Sequence, residues 1–257
     1  MDPFQITIDP GWVAGLLLAI TRVGGFVVAS PLLSTTFPPV GRLAFTIAVG
    51  ASLAVPVESA EALDRLLAAA FLNAALGVAL GWLTGVVFHL FNIAGSIVDF
   101  GSGLSVSQVF DPLMGGPAAV FGRWFPMTAM ALLIVSGGLT VVLGGLDRSV
   151  SVVPLDGSVV ADADLLTYAA MQVSRLMVIG LELALPLAAT LMVAEVLLGM
   201  ASRLVPQFNV FMLGLPAKIW ISLVVLAVLI LRFPAMTSNV IELIDEGFTD
   251  VLRGFVP

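Results

Sequence analysis

The sequence predicts an all-α membrane protein made of long, partly kinked helices and helical hairpins. Three observations carry this. Of 257 residues, 60% are hydrophobic and 11% charged, against about 45–50% apolar and about 25% charged in soluble domains, and the mean hydropathy is +1.13. Long apolar runs recur at the length that a hydrocarbon core of about 30 Å requires, roughly 20 residues of helix. No Pro/Gly/Ser-rich linker or shift of composition divides the chain, so residues 1–257 read as a single membrane domain.

About six such runs can be traced. The first covers Trp12 to Ser30 and contains Arg22; Pro31, Pro38 and Pro39 then mark a turn, because proline disfavours helix in the residue before it. The second runs from Leu43 to Val57 and meets an acidic stretch from Glu58 to Asp64. The third, Leu66 to Val98, has no formally charged residue, and as one helix it would extend roughly 50 Å. That length exceeds a simple crossing, so the helix protrudes, tilts strongly or breaks near Asn92 to Gly95. Within it Gly77, Gly81 and Gly85 fall four apart, a bare helix face that lets another backbone approach closely.

The fourth run is Trp124 to Leu146, followed by a polar loop from Asp147 to Asp164. The fifth, Leu176 to Met200, holds Glu182, Glu195 and a kinking Pro186. The sixth, Val210 to Leu231, has Pro216 and Lys218 near its start. Past Arg232, residues 233–257 place Val240, Leu243, Ile244, Val251 and Leu252 at helical spacing between Glu242, Asp245, Glu246 and Asp250. This is an amphipathic tail helix whose acidic face suits packing on protein better than anionic lipid. The start of the sequence, with two acids and no Lys or Arg before Trp12, does not read as a secretory signal, so the N-terminus is expected to be retained. Lys and Arg divide nearly evenly between the two sides of a six-crossing arrangement, which leaves orientation open.

Much chemistry is excluded. With no cysteine and the single histidine His89, thiolate chemistry and the usual zinc ligand sets are absent, so neither metal nor cofactor is expected. The one lysine, Lys218, stands outside any phosphate-binding loop. A net charge of -7 with scattered basic residues argues against nucleic acid. Ser102 between two glycines would need His89 as a base, and 13 residues of continuous helix separate them by nearly 20 Å. The chain is therefore read as non-enzymatic.

Ionisable residues in apolar runs are costly in lipid, by about 2.5–3.5 kcal/mol each on insertion scales. Arg22, Asp99, Glu182, Glu195, Arg203 and Lys218 form this set. The reading favoured is mutual pairing that orients helices or subunits, for instance Arg22 with Glu182 or Glu195; the alternative is a proton or ion relay. Asp99 opens a segment rich in Gly and Pro breakers that contains Phe110, Asp111, Pro112, Leu113 and Met114. It can be a surface loop, or a re-entrant loop whose side chains obstruct a pore. Two helices joined through Pro206-Gln207-Phe208-Asn209 would form a hairpin over about Leu176 to Leu231.

The order Arg203-x-x-Pro206-Gln207-x-Asn209-Val210-Phe211-x-x-Gly214-x-Pro216-x-Lys218 resembles the most recognisable stretch of the FliR/SpaR/YscT family of type III export-gate proteins. The likeness continues through Gly199, Glu195 and Pro186, the Asp99 to Pro112 segment, and Arg22, Pro31, Pro38 and Arg42. The resemblance implies a non-catalytic subunit that assembles with FliP, FliQ and an FlhB-like protein into a helical export channel in the bacterial inner membrane, at the flagellar basal body, for unfolded proteins. It implies a FliP-like part over about 1–170, a FliQ-like hairpin over about 175–232, and a plug-type loop near 105–122 that contributes to closing the channel. The glycine ladder, the internal charges and the overlong third run suggest that much of the apolar surface faces other subunits, with membrane lipid covering only part of it. An injectisome homologue and a proton-coupled secondary transporter built on Glu182 and Glu195 are the alternatives.

Overall fold

The computed structural model describes residues 9–35, 37–57, 63–104, 120–158, 165–204, 210–231 and 233–255. Among them the regular structure is entirely helical: α1 Pro10–Ala29, α2 Pro31–Ser34, α3 Pro39–Ser52, α4 Leu63–Ser102, α5 Val120–Val135, α6 Gly138–Val152, α7 Leu165–Leu204, α8 Val210–Ile230 and α9 Phe233–Arg253. Together with the apolar composition, this makes the chain an all-α membrane protein.

Prolines and one acid set the early boundaries. Asp9 accepts a hydrogen bond from the Gly11 N–H at 2.9 Å and Pro10 opens the helix, the preferred chemistry of a helix start. α1 stops where Ser30 turns extended, at ψ 118°, ahead of Pro31.

The apolar runs do not translate one for one into crossings. Three helices among the described residues are long and apolar enough to span a membrane, Pro10–Ala29, Leu63–Ser102 and Ala184–Ala201, with the α5–α6 pair a possible fourth. The second run yields only the 14-residue α3, about 21 Å long and too short to cross. The third run is unbroken: α4 continues through Asn92 to Gly95 for 40 residues, roughly 60 Å. The fourth run is interrupted at Gly137, whose φ of 80° no ordinary helix accommodates.

Backbone contacts divide the chain into two compact units. The first comprises Met1–Val86, Leu139–Gln172 and Leu243–Pro257. In it α1 and the first half of α4 run in the same direction, joined by the glycine ladder. A Cβ on Gly77 would overlap the Arg22 carbonyl oxygen; one on Gly81 would lie 2.5 Å from the Phe26 oxygen, and one on Gly85 3.0 Å from Pro31 Cδ. On the other side α3 runs antiparallel to α1, with Gly50 against Ile20. α6 and the end of α9 run opposite to α4. Phe248 is buried against Phe26, ring centroids 6.4 Å apart, and fills the space over Gly145. Leu252 and Phe255 close a cluster with Leu76 and Val153. From Leu243 onward the amphipathic tail thus buries its apolar side inside the first unit, and each such buried side chain is worth about 1.5–3 kcal/mol.

The second unit comprises Val87–Gly138 and Val173–Glu242. It contains the second half of α4, α5, most of α7, and α8. Gly101 approaches Leu191 so closely that a Cβ would lie 2.6 Å from its Cδ1.

Candidate functional site

The segment singled out between Asp99 and Gly122 is held at both ends by α4. Asp99 is 2% exposed. Its Oδ1 accepts the Phe121 N–H at 3.0 Å and its Oδ2 the Gly122 N–H at 2.8 Å. These are first-turn donors of α5 that no residue of that helix can satisfy, and a carboxylate there also meets the positive end of the helix dipole. One face of α4 completes the clasp. Asn92 Nδ2 donates to the Gly122 carbonyl at 2.7 Å, and the bare Cα of Gly95 leaves room for the Phe121 carbonyl, which a Cβ would overlap. Ser102 Oγ donates to the Asp99 carbonyl at 3.1 Å and accepts the Leu104 N–H at 3.4 Å. Phe110, Asp111, Pro112, Leu113 and Met114 themselves lie outside the described residues.

The serine-nucleophile geometry is absent. α4 is continuous from His89 to Ser102, so the imidazole, which is exposed, stays about 20 Å away along the axis.

Arg22, Asp99, Glu195 and Lys218 have partners, though not all of them those expected. Arg22 is fully buried and bonds to neutral oxygens. Its Nε donates to Asn73 Oδ1 at 2.8 Å, Nη1 to the Ser149 carbonyl at 2.6 Å and Oγ at 3.3 Å, and Nη2 to the Val153 carbonyl at 2.8 Å. Ser149 and Val153 are the C-terminal carbonyls of α6, the negative end of that helix. The cation therefore caps a helix where an acid was expected to pair with it. Asn73 is fixed in turn, its Nδ2 donating to Ala69 and Leu155 carbonyls at 2.7 and 2.8 Å.

Glu195 has a different partner, Lys218, at 2.9 Å across the α7–α8 hairpin, which corrects its suggested pairing with Arg22. The Lys218 side chain is 20% exposed and that of Glu195 66%. Arg203 is exposed on α7, and Pro216 lies exposed within α8 beside a buried Gly214. Pro206, Gln207 and Asn209 lie outside the described residues, as do the side chains of Glu182 and Phe211.

Asn73, Asn92 and Ser149 were missed by inspection of charges alone. Two of them, Asn73 and Asn92, stand in the third run, where a neutral amide in an otherwise apolar helix is itself a signal of a buried partner. Among the described residues no buried side-chain polar atom is left without a hydrogen bond.

Residues 13–244 match the model of a family described as "Bacterial export proteins, family 1". The flagellar biosynthetic protein FliR of Bacillus subtilis is 26% identical over 242 residues, covering 92% of this chain and 93% of that one. FliR of Escherichia coli is 27% identical over 259 residues, 96% and 97% of the two chains. The surface presentation of antigens protein SpaR of Salmonella typhimurium is 30% identical over 172 residues, 66% and 63%. The chain belongs to this family of bacterial export proteins, the FliR/SpaR/YscT family of type III protein export.

Proposed function

We propose that the chain is a non-enzymatic subunit of the flagellar type III export gate in the inner membrane. There it forms, with FliP- and FliQ-like subunits and beside an FlhB-like one, the channel that passes unfolded flagellar proteins. The observation that carries the flagellar assignment is coverage: FliR of Bacillus subtilis, Aquifex aeolicus and Escherichia coli each align over more than nine-tenths of both chains, whereas FliR of Pectobacterium carotovorum takes in 69% of this one and SpaR of Salmonella typhimurium 66%. The α7–α8 hairpin supports a role in an assembly. Only 22% of Ala184–Ala201 is buried in its own chain against 44% of α1, leaving Leu185, Met192, Val196, Met200, Trp220 and Val224 exposed. In the same reading, residues 105–122 obstruct the channel at rest.

A proton-coupled transporter would leave its midplane acids free to titrate; the bond between Glu195 and Lys218 weighs against that use of Glu195. The test is to extract the tagged chain from its own host in mild detergent and identify its companions by mass spectrometry. A large hetero-oligomer with the other gate subunits is expected, and loss of the chain should abolish filament assembly. A stable monomer or dimer that moves a small solute would overturn the reading.

A further inference from the structure

In the first unit α1 and α3 touch through Gly50 against Ile20 and Gly24 against Thr46. Beside that seam Leu17 and Val28 on α1, and Val40, Leu43 and Ile47 on α3, stand exposed. Their spacings return to one face of each helix. Every exposed residue from Val40 to Ala51 is aliphatic.

Polar groups are kept off this face. The ionisable residues of α1 and α3 are Arg22, fully buried on the far side of α1, and Arg42, half-buried with its Nε donating to the Phe37 carbonyl at 2.9 Å. Thr21 Oγ1 and Thr46 Oγ1 each donate at 2.8 Å to a carbonyl of their own helix, those of Leu17 and Arg42. Hydrocarbon demands that every such donor be spent internally; a protein or aqueous neighbour does not. The α7–α8 hairpin of the second unit has a different surface. Glu195 and Arg203 are exposed there among apolar side chains, and such groups are costly in lipid.

The depth of the α1–α3 face is marked as well. Past Ser52 the chain leaves the helix, with Val55 and Pro56 exposed, and the Val57 N–H donates to the Gly11 carbonyl at 3.1 Å. A Cβ on Gly15 would overlap the Val55 carbonyl, so this irregular segment lies level with the first turns of α1. Exposed irregular backbone does not occur within hydrocarbon, which therefore ends near Gly15. Trp12, exposed in the first turn, lies beyond that limit, where indole rings anchor at the membrane interface.

We infer that the outer face of α1–α3, from Leu17 to Val28 and from Val40 to Ile47, is a side of this chain that stays against lipid tails in the assembled complex. This rests on the reading of the chain as one subunit of a membrane assembly, and names the neighbour of one of its faces.

The sequence has no cysteine, so a single one can be introduced and spin-labelled. Leu17→Cys and Leu43→Cys report on the face, Val55→Cys on its lower limit and Val196→Cys on the hairpin. Paramagnetic resonance is recorded in liposomes for the chain alone and for the complete complex with cysteine-free partners. In both, labels at positions 17 and 43 should be mobile and should collide with dissolved oxygen several-fold more than with a water-soluble nickel chelate. The label at position 55 should favour the chelate in the chain alone, and shielding from it would overturn the depth assigned here. A label at position 43 that becomes immobile and shielded from both reagents on assembly would show a subunit against the face. One that favours nickel would show water. Either result overturns the inference. Should Leu43→Cys fail to assemble, Ile47→Cys on the next turn decides by the same criteria. The hairpin label keeps the two readings apart: it should become immobile on assembly. If it stays mobile and oxygen-accessible in the complex, the assembly role of the hairpin falls while the lipid face stands.

Discussion

Arg22 Nε and Asn73 Oδ1, 51 residues apart in sequence, share a 2.8 Å hydrogen bond inside the first unit. That bond orients both groups. With Oδ1 engaged, the Asn73 amide must donate, and it reaches the Leu155 carbonyl just past α6, while the guanidinium covers the carbonyls of Ser149 and Val153. A cation that would be costly in lipid is thereby spent on closing a helix end.

Removing either member leaves buried groups without partners. Arg22→Ala strips the Val153 carbonyl of its guanidinium donor, leaves the Ser149 carbonyl with the Val153 N–H alone and opens a cavity, and Asn73→Leu orphans the guanidinium Nε. Each should destabilise the protein by about 2–5 kcal/mol, seen as a large fall in the thermal unfolding midpoint of the detergent-solubilised chain. Substitution of Arg22 without change in that midpoint would show that its network contributes nothing.

The glycine ladder makes a sharper contrast. Gly77→Ala should destabilise by about 3 kcal/mol or more, since even one methyl group meets the Arg22 backbone. Gly144→Ala, where nothing lies within 4 Å, should stabilise by about 0.5–1 kcal/mol through helix propensity. Because the ladder faces α1 of the same chain, Gly81→Leu should already lower the yield of the folded single chain, ahead of any effect on assembly. Unfolding of the purified variants measures both signs.

The Glu195–Lys218 pair should matter little to the isolated chain. Glu195 is largely exposed outside its own chain, and where water reaches it in the detergent-solubilised state screening holds such a pair to about 1 kcal/mol or less. Lys218→Met and Glu195→Gln in detergent are expected to shift unfolding slightly, and exchanging the two residues should restore most of the loss. A drop as deep as that of Arg22→Ala would mean that the pair is desolvated.

Phe248→Ala tests the tail. The ring is fully buried against Phe26 and over Gly145, and its loss should destabilise by about 3–5 kcal/mol. Limited proteolysis should then release residues 243–257 from the variant well before the unmodified chain. Equal cleavage rates would show that the tail is held elsewhere.

Composition and the length of its apolar runs determined by themselves that this chain is a helical membrane protein, because unsatisfied backbone groups cannot be left in lipid. Residue order from Arg203 to Lys218 and around Asp99 was enough to point to the family. The glycine spacing announced a close helix contact, since four-residue intervals on a helix return to one face. What no local pattern could supply was the partner of each group. The acceptors of Arg22 are main-chain carbonyls about 130 residues downstream, and every residue carries such a carbonyl, so only the ending of α6 beside α1 made Ser149 and Val153 available. Asp99 likewise found N–H donors rather than a cation. Charges are visible in a sequence, whereas the helix ends that satisfy them exist only once the chain has folded.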